Sequence, residues 1–225
     1  MEQIKSFADE RHAAFCAGCG GAPETRDHVP SKVLLDEPYP ENLPVVAVCA
    51  SCNQGLSLDE EYTACAIECA RLGARSAEQV ERPKIRRILA AKPRLAAMIA
   101  ETRSETPDGI SYAVDHARVA RVITKLARGH AFFDLSVVRT EEPTHIAVVP
   151  LGLLDSAARE RFESPPATSV WPEVGSRKFL ILAEGNATDE WVDVQEGRYR
   201  YLAGTDGSVF VRIVLSEYLA CEVIW

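Results

Sequence analysis

Two C-x-x-C pairs, Cys16-Ala-Gly-Cys19 and Cys49-Ala-Ser-Cys52, stand 29 residues apart in a chain of 225. Four thiolates complete the closed tetrahedral shell of a structural Zn2+, and each two-residue spacer turns both of its sulfurs toward one ion. Gly18, Gly20 and Gly21 supply the tight turn that such a knuckle needs. Zinc-binding energies of about 10 kcal/mol or more would order a segment too small to build its own core. A shell closed by four cysteines leaves no open position for water, so any chemistry has to come from other residues.

The remaining cysteines read differently. Cys65 and Cys69 share an apolar stripe with Leu58, Tyr62 and Leu72, and Cys221 alternates with apolar neighbours near the C-terminus. All three are expected to be buried and inert. The first residues carry charges throughout, with no apolar run followed by a small-residue cleavage site, and no stretch approaches the ~18 apolar residues of a membrane span. The expectation is a soluble cytoplasmic protein with no membrane partner, its cysteines kept reduced.

The net charge of −8 conceals a segregation. Residues 1–70 hold 4 basic against 12 acidic side chains, 71–130 hold 13 against 6, and 131–225 hold 8 against 15. The basic middle third suggests a surface that follows phosphates, although a solvated Arg-rich helix face explains it equally well.

Hydrophobic periodicity divides the chain into three parts: 1–75, 76–130 and 131–225. In the first, residues 1–15 read as a short amphipathic helix with Ile4, Phe7 and Phe15 inward, followed by short strands at 25–29 and 45–48. Ser57 and Glu60 match a capping box opening a helix that Gly73 ends. In the second, Ser76 with Gln79, Pro83 and Pro93 mark two or three short helices over 76–103. Another helix runs over 115–128, with Asp115 as N-cap, Gly129 as stop, and His116 and His130 at its ends. In the third, FFDLSVV, THIAVVPL, RKFLILAE, GRYRYLA, SVFVRIVL and LACEVIW read as strands of an antiparallel sheet, with LLDSAARERFE as a helical insert and Gly204 to Gly207 as a reverse turn. Trp171, Trp191, Tyr199, Tyr201 and Trp225 are expected to pack rather than stack bases. The fold class is α+β.

Between the cysteine pairs lie Asp27-His28-Val29-Pro30 and Asn42, and Asn53 directly follows Cys52. The string C-x-x-C, D-H-x-P, loop Asn, C-x-x-C-N resembles the HNH endonuclease family in its zinc-bearing ββα-metal form, over roughly residues 14–62. The resemblance implies metal-dependent hydrolysis of nucleic-acid phosphodiesters, with DNA the expected substrate and a protein partner a further expectation. His28 would be the general base and Asn42 would orient it. Asp27 and Asn53 would hold a catalytic Mg2+ or Mn2+, beside the structural Zn2+ on Cys16, Cys19, Cys49 and Cys52.

Adjacent residues of a regular strand point to opposite faces, so Asp27 and His28 share a pocket only if the strand ends at Pro30 and its twist brings them together. Relatives carry a Lys beyond C-x-x-C-N where this chain has Gln54-Gly55-Leu56-Ser57. Phosphate contacts would therefore fall to Arg82, Lys84, Arg86 and Arg87. No P-loop, dinucleotide fingerprint, H-E-x-x-H or G-x-S-x-G is present. The reading from another class is a non-catalytic zinc-knuckle protein that binds nucleic acid or a protein, with Asp27 and His28 only bracing the knuckle.

Overall fold

The computed structural model describes residues 12, 14–107, 109–165, 170–188 and 190–225. Strands β1 (Thr25–His28) and β2 (Val45–Val48) form an antiparallel hairpin with Asp27 opposite Val46 and His28 opposite Val45. The short helix α1 (Ala50–Gln54) follows, and then α2 (Ser57–Leu72), which Gly73 closes in the left-handed conformation that glycine adopts without strain. Helices α3 (Pro83–Ala91) and α4 (Pro93–Glu101) each begin on a proline, whose missing N–H costs nothing in a first turn. A small hairpin, β3 (Arg103–Thr106) and β4 (Gly109–Tyr112), leads into α5 (His116–Leu135). Beyond it lie β5 (His145–Pro150), α6 (Ser156–Glu163), α7 (Arg177–Ala183), β6 (Val192–Gln195), β7 (Tyr199–Asp206), β8 (Ser208–Leu215) and β9 (Leu219–Ile224).

The α+β class is as expected. The C-terminal strands make one five-stranded antiparallel sheet in the order β5-β9-β8-β7-β6. Alternate residues of β7 to β9, among them Tyr199, Tyr201, Val211, Ile213 and Cys221, meet α5 in a core that also takes in α2, α3, α4 and Leu34, Leu35 and Leu43 from the β1–β2 loop. The three sequence parts therefore share one hydrophobic core. A second cluster joins Cys16, Ala17, Val29, Val46 and Val48 to Phe132 and Phe133 on the last turns of α5, which seats the cysteine module on that helix. Cys65 and Cys69 are buried, and desolvation pushes their thiols up to about 12 and about 11.

Several expectations need correcting. Gly129 does not stop α5. The helix continues to Leu135, so FFDLSVV is not a strand, and His130 is fully buried, with Nε2 2.8 Å from the Tyr199 hydroxyl and its ring stacked on Tyr201 at 3.6 Å. RKFLILAE is the helix α7, N-capped by the Ser176 side chain. Ser57 lies inside α2 without a capping bond, and Leu58 is largely exposed. Ile4 and Phe7 lie outside the described residues, and Phe15 is exposed. Tyr199, Tyr201 and Trp225 pack in the core and Trp191 against Phe162, but Trp171 stands in solvent.

No helix among the described residues is long and apolar enough to cross a membrane.

Candidate metal centre and adjoining polar site

The turn after Cys16 and the start of α1 bring the four cysteines together. All four sulfurs lie within 4.8 Å of one another, and Cys19 Sγ is 3.8 Å from Cys49 Sγ. A tetrahedral Zn2+ with Zn–S of about 2.3 Å requires sulfurs roughly 3.8 Å apart. Backbone N–H groups already point at the sulfurs: Gly18 and Cys49 donate to Cys16 at 3.4 and 3.2 Å, and Cys52 donates to Cys49 at 3.5 Å. A hydrogen bond from the Ser51 hydroxyl, with the Cys52 contacts, pulls the Cys49 thiol down to about 6, so that it is largely thiolate at neutral pH. A Cβ on Gly18 would stand 2.9 Å from Cys52 Sγ, so only glycine lets the turn close this tightly. The residues fit a structural zinc, and the cluster can hold one.

β1 runs beside this centre. Opposite residues of an antiparallel pair share a face. Asp27 accordingly faces α5 along with Val46, and His28 lies on the other face with Val45. The strand does end before Pro30, with Val29 N–H donating to the Pro44 carbonyl at 2.9 Å. Asp27 and His28 nevertheless both border a cavity of about 20 Å3, walled also by Cys52, Lys125 and Gly129. That is space for about one water molecule. His28 is half-buried and its Nδ1 has no hydrogen-bond partner. Burial lowers its pKa below the ordinary histidine value and the Lys32 ammonium lowers it further, while the Asp27 carboxylate opposes both.

The other expected ligands are engaged elsewhere. Asp27 Oδ2 is 2.7 Å from Lys125 Nζ, which also donates to Glu60 Oε1 at 2.6 Å. The same Glu60 oxygen accepts from Ser31 Oγ at 2.6 Å, which explains why Glu60 forms no capping box. Asn53 Nδ2 donates to Thr25 Oγ1 at 3.0 Å and to the Arg26 carbonyl at 3.2 Å, bracing β1. Asn42 is exposed and makes no hydrogen bond to His28. As they stand, Asp27 and Asn53 do not fit a Mg2+ or Mn2+, because an ammonium already sits on the carboxylate.

The four basic candidates also separate. Arg82 is buried, its Nε 2.7 Å from Asp36 Oδ1, and so is unsuited to meeting a phosphate. Lys84 donates to the Lys32 carbonyl and the Tyr39 hydroxyl, both at 2.7 Å. Arg86 is exposed but ties back to the carbonyls of Val80 and Glu81, and Arg87 is exposed. Lys32 and Lys84 flank the Tyr39 ring at 5.4 and 4.9 Å. Lys32 and Lys125 were not singled out from sequence, and Glu60 only as a capping residue. Lys32 lies only four residues past His28, and that was a signal. Lys125 and Glu60 gave none, because α5 and α2 meet β1 only in the fold.

Compared with known proteins, the chain matches no family model, no curated protein and no solved structure.

Proposed function

We propose that this protein is a zinc-stabilised HNH-type endonuclease that hydrolyses phosphodiester bonds of nucleic acid, DNA foremost. The observation that carries the reading is His28: an imidazole with an unpartnered nitrogen at the wall of a cavity the size of one water, its pKa lowered by burial and by Lys32, next to four clustered cysteines. A neutral imidazole can take the proton of a water as the water oxygen bonds phosphorus and the P–O bond to the departing sugar breaks. Lys32, close enough to His28 to act on its charge, offers a positive group for the phosphate. A divalent ion could use Asp27 only once the Lys125 ammonium has left that carboxylate.

Nicking of supercoiled plasmid by the zinc-loaded protein, with Mg2+ or Mn2+ added, tests the proposal. His28→Ala should slow it by about 100-fold or more, the usual worth of a general base, while one Zn per chain and the circular dichroism spectrum stay unchanged. Equal nicking by the variant would remove His28 from the mechanism. The Lys125 contact on Asp27 favours a second reading, a non-catalytic zinc-knuckle protein that binds nucleic acid or a protein partner. Salt-dependent DNA binding without nicking would support it.

A further inference from the structure

Lys125 reaches Asp27 because α5 packs against the end of β1. One turn further along the same helix face is Gly129, where a Cβ would stand 2.6 Å from Val29 Cγ2. With no side chain there, the helix lies against the strand end and delivers the Lys125 ammonium to a carboxylate from β1 and another from α2. The three side chains are only 15% (Lys125), 15% (Asp27) and 10% (Glu60) exposed, so water screens their charges weakly.

Resting on the assignment of Asp27 to the proposed site, we infer that Lys125 is a tethered cation that competes with divalent metal for Asp27 and holds that carboxylate in a metal-free state. A Mg2+ ion binds carboxylate oxygen at about 2.0–2.1 Å and keeps its own shell of ligands, so it and an ammonium 2.7 Å away cannot share the position. An entering ion must displace Lys125, which stays anchored to Glu60, itself fixed by Ser31. Removing the ammonium leaves two carboxylate oxygens that had both been within 2.7 Å of one nitrogen, an arrangement suited to a single hard cation.

Binding of Mn2+ to the zinc-loaded, full-length protein, followed by loss of the electron paramagnetic resonance signal of free Mn2+, reads this without any turnover. Lys125→Met should bind Mn2+ at least tenfold more tightly than wild type, and adding Asp27→Asn to that variant should cancel the gain. Equal affinity in wild type and Lys125→Met overturns the inference, as does a gain that survives Asp27→Asn. If two uncompensated carboxylates prevent Lys125→Met from folding, Glu60→Gln with Lys125→Met is compared with Glu60→Gln alone, and equal affinity in that pair is equally decisive. A tenfold gain in Mn2+ affinity with no nicking by any variant sinks the endonuclease proposal and leaves the role of Lys125 standing.

Discussion

At His28, burial and the Lys32 ammonium both act against the imidazolium, and the nearby Asp27 carboxylate only partly offsets them. The folded pKa therefore lies below the ordinary value, and the base form persists to lower pH than it would in an exposed histidine. Lys32→Met removes one of the two depressing causes. The His28 pKa should rise toward the ordinary value, and the acid limb of any His28-dependent hydrolysis should move to higher pH with it. A ring-proton NMR titration of wild type and variant checks this directly. An unmoved or lower pKa in the variant would show that Lys32 does not act on the imidazole charge. The same residue illustrates what a dipeptide motif conveys: Asp27 and His28 were legible as a pair, but the lysine that acts on His28 comes from the following loop and the one that pairs with Asp27 from α5.

Helix α5 links the elements of the site, and Gly129 is the residue that allows it. In an exposed helix interior Gly→Ala gains up to about 1 kcal/mol from propensity. Here the new Cβ would meet Val29 Cγ2 at 2.6 Å and Cγ1 at 3.0 Å, so overpacking should outweigh propensity, and Gly129→Ala should lose about 1–3 kcal/mol in urea unfolding of the zinc-loaded protein. A stabilised variant would mean that α5 and the strand end part easily. Reading Gly129 as a helix stop was therefore a misassigned cause: the glycine serves close approach rather than chain reversal. The end of α2 and the start of α5 were legible because Gly73 and Asp115 are the caps the sequence marks, whereas the capping box read at Ser57 and Glu60 does not form. The end of α5 and all of α7 were not, since FFDLSVV and RKFLILAE are short apolar runs compatible with either period, and only the Ser176 cap pointed to helix. The cysteine centre was legible from spacing alone. The Asp27–Lys125–Glu60–Ser31 chain was not, because its members come from three separate stretches of sequence, 27–31, α2 and α5.

Across the whole molecule, the charge segregation seen in sequence largely resolves into ion pairs within the fold. Arg118 and Arg121 grip Asp59, Lys92 pairs with Glu61, Arg71 with Glu68, Lys125 with Asp27 and Glu60, and Arg82 with Asp36, so much of the basic middle third is paired with the acidic first third. Asp36 is the node that extends this to the sheet. Its carboxylate takes Arg82 from the start of α3 and Arg198 from the turn before β7, while Gln195 of β6 bonds both its backbone N–H and its carbonyl. Arg82 is 3% exposed, so Asp36→Asn would leave a guanidinium charge buried without its counter-ion. Asp36 itself is 31% exposed, which places the expected loss near the lower end for a broken buried pair, about 3 kcal/mol in urea unfolding. Replacing Arg82 by Met in the same chain removes the stranded charge and should recover part of that loss, which a double-mutant cycle measures as a coupling between the two sites. A loss below about 0.5 kcal/mol for Asp36→Asn, the range of ordinary surface substitutions, would show that the loop, α3 and the sheet are held together by the apolar core alone.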